Sequence, residues 1–188
     1  MAVVKHQTDL VRTEELNVPE LLVIEGIGDD DHFFCIPKRT FPQCPKCGSG
    51  EIRNQGNMHR DYLDIIPRND DAAVITLSLE FRKNKCLSPG CGCVFYPSFS
   101  FASPYSRTTH RLENAVVRMI LEDGYSYSNV SAMLEWKLSK QVVGLVYYRR
   151  LRELEADPEG QPRWFKRLQG DDPKLFWRII KRRAKLRL

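Results

Sequence analysis

The period of apolar positions changes once along this chain, near Pro104. Before it, apolar residues alternate or form short β-branched runs. After it, they recur at spacings of three and four, the helical period. In the first part, Glu20 to Ile27 predicts a strand, ended by Gly28 and the acidic turn Asp29, Asp30 and Asp31. His32 to Ile36 predicts its hairpin partner, and Pro37 and Pro42 interrupt any continuation. Residues 49 to 71 are turn-rich, with one extended piece at Tyr62 to Ile66. Ala72 to Phe81 alternates and is β-branched in its middle, which predicts a strand. The sequence CLSPGCGC at 86 to 93 predicts a tight turn, and VFYPSFSF an aromatic-rich return. Residues 1 to 18 are polar and predict a frayed end.

In the second part, Leu112, Ala115, Val116, Met119 and Ile120 predict an amphipathic helix from Thr108 to Asp123. Gly124 is placed to stop it. A short helix follows from about Ser128 to Trp136, with Val130, Met133 and Leu134 on one side. Ser139 can cap a third helix running to about Glu155. Pro158, Gly160 and Pro162 predict a linker, and Pro173 to Leu188 a last helix. The fold class expected is α+β: a small antiparallel ribbon within a β-rich region at 19–104, a three-helix helix-turn-helix domain at 105–155, and a linker with a basic helical tail at 156–188.

Composition narrows the class. Of 188 residues, 42% are apolar and 28% charged, which excludes wholesale disorder and fibrous repeats. No apolar run approaches the roughly 20 residues that cross a bilayer. The N-terminus MAVVKHQTDLVRTEEL does not read as a secretory signal. The expected location is the cytoplasm, associated with the nucleoid, and the expected partners do not include a membrane. In a reducing compartment, cysteine pairs bind metal more often than they form disulfides. The net charge of +5 is unevenly spread. Residues 1 to 136 hold 14 basic and 18 acidic residues, a net of −4. Residues 137 to 188 hold 15 and 6, a net of +9, so a polyanion would meet mainly the last third.

Six cysteines stand at 35, 44, 47, 86, 91 and 93. In Cys44-Pro-Lys-Cys47-Gly, two intervening residues let both sulfurs converge at tetrahedral distance, and the glycine lets the backbone turn beneath them. Cys86-Leu-Ser-Pro-Gly-Cys91-Gly repeats the logic with a wider turn. The 38 residues between the pairs carry strand signals, which suits one structural zinc ion held by Cys44, Cys47, Cys86 and Cys91. Cys93 is an alternative to Cys91, and His59 an alternative ligand. Reduced cysteines in ordinary turns are the bland reading. Cys35, between Phe34 and Ile36, reads as a buried thiol. Four protein ligands leave no open position, so such a zinc is structural.

The three helices and the arginines after them suggest DNA. With Val143 central on the buried face, Tyr147, Arg150 and Leu154 lie near it at helical spacing. Gln141, Leu145, Tyr148 and Arg152 then fall opposite, with Lys140 at the exposed start. Gln reads adenine edges, and Lys and Arg read guanine or bind phosphate. Arg149, Arg150, Arg152, Arg182 and Arg183 are candidate phosphate contacts, joined by Arg82, Lys83 and Lys85 before the second knuckle. A plain helical bundle with a solvated basic surface is the competing reading.

Most of residues 19 to 155 resembles the N-terminal half of bacterial insertion-sequence transposases of the ISL-three family. The likeness is carried by LLVIEGIGDDDHFFCIPKRTFPQCPKCGS, HRDYLDIIP, ITLSLEFRKNKCLSPGCGCVF and RTTHRLENAVVRMIL. The turn Glu135-Trp136-Lys137-Leu138 is longer than that family's usual turn. The resemblance implies recognition of a transposon's terminal repeats by this region. In the family a following DDE domain cuts and joins DNA. No sequence after residue 105 predicts the sheet that such a domain needs. The function expected is therefore sequence-specific binding of double-stranded DNA by a transposase-derived or truncated chain, non-catalytic by itself. Candidate protein partners are a full-length transposase or a second copy of the chain. The alternative is a protein-interaction or transcription-regulator module, its zinc ribbon a docking platform and its basic tail binding an acidic protein.

Overall fold

The computed structural model describes residues 16–27, 31–38, 43–68, 71–170, 172–174, 176–178 and 180. They fall into two compact units divided between Ala115 and Val116.

The first unit is built on a mixed five-stranded sheet. Strands β1 (Leu21–Ile27) and β2 (His32–Pro37) form the antiparallel hairpin that their apolar alternation predicts. Strand β3 (Ile52–Arg68) pairs antiparallel with β4 (Asp71–Cys86) along nearly its whole length. The two hairpins join through a parallel pairing, in which Phe33 lies opposite Leu77 and Cys35 opposite Leu79. The order is β1-β2-β4-β3, and β5 (Val94–Phe95) pairs with Asn84 and Lys85 of β4. Since β3 occupies one edge of β4, β2 and β5 share the other.

One face of this sheet is the core. Leu21, Val23, Phe33, Cys35, Tyr62, Ile66, Ile75, Leu77, Leu79 and Phe81 are buried there. Leu16, Val18 and Ala102 join them, and Phe99 and Phe101 pack against the cluster. Each large apolar side chain so buried contributes about 1.5–3 kcal/mol. The opposite face carries a polar row across three strands. His32 Nε2 lies 2.7 Å from Ser78 Oγ, which donates to Asp61 Oδ1 at 2.6 Å.

Helix α1 (His110–Leu121) begins locked to this sheet. Asp64 is fully buried, and its carboxylate accepts from Ile65 N (2.8 Å), Thr109 Oγ1 and the Arg111 guanidinium. Arg111 Nη1 also donates to Leu16 O at 3.0 Å. Thr109 Oγ1 accepts from Leu112 N, which caps the first turn. Two backbone bonds between Leu63 and Arg107 or Thr109 (2.8 and 3.0 Å) complete the joint.

The second unit is helical among its described residues. It holds the end of α1, then α2 (Tyr127–Met133), α3 (Lys140–Ala156) and α4 (Arg163–Gln169). Ser126 and Ser139 cap α2 and α3 through their hydroxyls. Val130, Leu134, Leu138, Val143, Val146, Tyr147, Leu151, Leu154 and Phe165 are buried. Gly144 permits a close approach, because a Cβ there would sit 3.3 Å from the Tyr127 ring. Further on, the rings of Phe176 and Trp177 pack on Phe165 at 5.6 and 5.8 Å.

The expected fold is corrected on several points. A small antiparallel ribbon followed by a separate three-helix helix-turn-helix domain is not what forms. The hairpin β1–β2 does not stand apart: β2 pairs in parallel with β4, and Phe33 and Cys35 join the same buried cluster as Leu77 and Leu79. Residues 52 to 61 are polar and read as turns, yet they extend β3 to 17 residues. Pairing with β4 satisfies their backbone, which side-chain pattern alone does not reveal. The helices do not form a free-standing trio, since α1 starts with Arg111 bound to buried Asp64 and divides between the units. Leu16 and Val18, at the close of the expected frayed end, belong to the core, and residues 1–15 lie outside the described residues. The linker region contains α4, and much of the predicted basic tail, Arg182 and Arg183 included, lies outside the described residues.

Candidate metal centre and exposed helix face

The two cysteine turns meet at one end of the sheet. Cys86 is the last residue of β4, directly opposite Ile52 at the start of β3. The turn at 44–48 closes with Gly48 N donating to Cys44 O at 2.8 Å, and Cys44 N donates to Ser49 O at 3.0 Å. Gly48 adopts φ +73°, the left-handed value that a residue with a Cβ seldom takes. In the second turn Cys91 N donates to Ser88 O at 3.1 Å, and Cys86 N donates to Cys93 O at 2.9 Å.

This backbone brings the sulfurs of Cys44, Cys47, Cys86 and Cys91 within 4.8 Å of one another. Cys44 Sγ to Cys91 Sγ is 3.6 Å, and so is Cys47 Sγ to Cys86 Sγ. Four sulfurs at about 2.3 Å from a central ion would be roughly 3.8 Å apart in a tetrahedron. The spacing therefore fits a metal ion, and all four cysteines are free of disulfides. Cys93 is not among the four. It is half-buried, and it contributes its carbonyl to the turn while its thiol lies near Val94 O. Cys35 is buried in the sheet core, where desolvation pushes its thiol up to about 12.

Local electrostatics divide the four sulfurs. Burial resists ionisation of Cys44, but the N–H groups of Cys47 and Lys46, with the thiols of Cys47 and Cys91, outweigh it and bring Cys44 down to about 6. Burial holds Cys86 up at about 12, despite an N–H from Ser88. Cys91 is raised as well: the N–H of Cys93 favours its thiolate, but burial and the thiols of Cys47 and Cys44 override it. Crowded sulfurs cannot all ionise without a cation among them. The apolar support here is thin, consisting of Phe95 with half-buried Ile52 and Cys93.

The third helix presents a mixed outer face. Lys140, Gln141, Val142, Leu145 and Arg152 are exposed, opposite buried Val143, Val146, Tyr147, Leu151 and Leu154. Among the described residues, the side chains of Lys140, Gln141 and Arg152 make no hydrogen bond or ion pair. Arg150 instead bonds Glu153 at 2.8 Å. Tyr148 is half-buried, edge-on to Tyr127 and Tyr147 at 6.5 and 5.2 Å. Arg149 is half-buried. In the preceding turn Glu135 and Trp136 both take left-handed φ, at 53° and 61°, and Trp136 stands 68% exposed. Arg82, Lys83 and Lys85 are exposed on β4. Sequence reading did not single out Arg53, which the β3–β4 register places directly opposite Lys85. Only strand pairing reveals that juxtaposition.

Comparison with protein-family models, curated proteins and solved structures finds no match to this chain. No helix among the described residues is long and apolar enough to cross a membrane.

Proposed function

We propose that this protein binds double-stranded DNA through the exposed face of α3, carries one structural zinc ion, and does not cut DNA by itself. The observation that carries the reading is the set Lys140, Gln141 and Arg152. They are three outward side chains with no protein partner among the described residues, on a capped 17-residue helix anchored by its opposite face. Gln offers paired donor and acceptor to an adenine edge, and the cations suit guanine or phosphate. The charge of +9 from Lys137 onward favours a polyanion. The likeness of residues 19 to 155 to ISL-three transposases supports terminal-repeat DNA as the target. Four sulfurs without oxygen or imidazole ligands favour zinc, and a full protein ligand set makes it structural. Among the described residues after Val116 there is no strand to hold a catalytic acid triad.

The test selects bound duplexes from a random pool, then titrates preferred and random duplexes at several salt concentrations. Gln141→Ala should cost roughly 1–3 kcal/mol on the preferred duplex and little on random DNA. Equal loss on both would refute base reading by this face, and no salt-dependent duplex binding would refute the function. Cutting of a preferred duplex that requires magnesium or manganese, abolished by one Asp or Glu substitution, would refute the non-catalytic assignment.

A further inference from the structure

Beside the metal centre, the β3–β4 ribbon, the first cysteine turn and the chain after β5 enclose a groove of about 990 Å³. That is the size of a small-molecule site. Its lining includes Asn54, Asn57, Asn84, Arg82, Phe81 and Tyr96.

Asn84 is only 5% exposed. Its Nδ2 donates to Arg82 O at 3.3 Å, and its Oδ1 receives no hydrogen bond among the described residues. Solvent reaches that oxygen, so a ligand donor can take the place of water there. Asn54 lies directly opposite Asn84 in the strand register. Its Oδ1 accepts from Gly56 N at 2.8 Å, which leaves its amino group to donate. Asn57 gives one amino hydrogen to Glu80 Oε1 at 2.6 Å, which also occupies that acid. Two neighbouring amides thus offer one acceptor and one donor, the complement of a nucleobase edge.

The aromatic part is held rigid. The rings of Phe81 and Tyr96 have centroids 6.2 Å apart, and the Arg60 guanidinium lies 5.7 and 5.4 Å from the two centroids. Phe81 is buried, so the half-buried Tyr96 is the ring a ligand meets. Arg82 lines the groove, and exposed Arg53, Lys83 and Lys85 stand nearby on the same ribbon. None of these four cations makes an ion pair among the described residues. Arg53 opposite Lys85 is a like-charge pair, which is unfavourable unless an anion lies beside it. Bases paired in a duplex have their edges engaged with one another, whereas an unpaired base leaves its edge free for these two amides.

We propose that this groove binds an unpaired nucleotide of single-stranded DNA. The base lies on Tyr96 with its polar edge on Asn54 and Asn84, and the flanking phosphates meet Arg82 and its neighbouring cations. This extends the DNA-binding reading and takes the class of partner from it, but it uses a different surface.

The experiment titrates the zinc-loaded full chain with a labelled single strand of about 12 nucleotides, its duplex, and an abasic strand of the same length. The intact strand should bind about tenfold more tightly than the abasic one. Tyr96→Leu and Asn54→Ala should each weaken the single strand about fivefold or more, within the range of base stacking and edge contacts, and leave duplex affinity nearly unchanged. Asn54 is exposed, so its variant tests the site without touching the core; metal content checks that Tyr96→Leu is folded. Equal binding of intact and abasic strands, or unchanged single-strand affinity in both variants, overturns the proposal. Loss of duplex binding with single-strand binding retained overturns the α3 reading and supports this site.

Discussion

Removing the metal should unravel one end of the sheet and spare the other. The perturbation is chelation of the loaded protein, or Cys86→Ser. At the metal end, among the described residues, the buried cluster is Cys44, Cys86 and Phe95, with Ile52, Cys91 and Cys93 partly buried against it. Phe95 contributes about 1.5–3 kcal/mol, whereas a structural zinc site supplies roughly 10–16 kcal/mol. The local ladder also sets Arg53 against Lys85, so it resists pairing when the ion is gone. The other end keeps Leu21, Val23, Phe33, Ile75, Leu77 and Leu79, together with buried Asp64 and the half-buried Arg111 bound to it. Amide hydrogen exchange reads both ends at once. The N–H groups of Cys44, Cys86 and Leu87, bonded to Ser49, Cys93 and Glu51, should lose protection. Those of Leu63 and Thr109, bonded to Arg107 and Leu63, should keep it. Unchanged protection in the first set would mean that the ion does not hold this end. Loss in both sets would mean that the sheet does not divide in stability as its core suggests.

Other outcomes follow from single sites. Metal affinity should fall with acid, and its slope against pH should steepen by about one proton below pH 6. Above that pH Cys44 is already a thiolate, while Cys86 and Cys91 must still be deprotonated; below it, Cys44 must also lose its proton. A competition titration with a chelator between pH 5 and 8 would check the break. Cys35→Ala should leave metal content unchanged, by elemental analysis, since that thiol is in the sheet core. Asp64→Ala should destabilise the first unit by about 1–3 kcal/mol in denaturant titration, because it removes the buried acceptor of Ile65 N and Thr109 Oγ1, while Arg111 keeps its contact with solvent. Glu135→Gly should stabilise the second unit by roughly 1 kcal/mol, by relieving a left-handed φ in an exposed side chain.

What the sequence by itself determined is local. Ser139 starts α3 because its hydroxyl reaches the backbone three residues on, and Gly124 follows α1 because it tolerates φ +73°. The alternation of Ala72 to Phe81 marks the middle of β4 because successive side chains leave a strand on opposite faces. The two-residue gap in Cys44-Pro-Lys-Cys47 marks the first half of the metal site for the same kind of reason: a few dihedrals place both sulfurs. Tertiary structure decided whatever depends on a distant partner. Residues 52 to 61 become strand because β4 satisfies their backbone, and β2 joins β4 in parallel, where Phe33 and Cys35 share a buried face with Leu77 and Leu79. Between Cys91 and Cys93, spacing leaves two readings open. The chain resolves them by donating Cys86 N to Cys93 O, which turns Cys91 toward Cys44. The groove beside the metal also belongs to the assembled sheet. Asn54 and Asn84 are 30 residues apart in sequence, and register alone makes them neighbours.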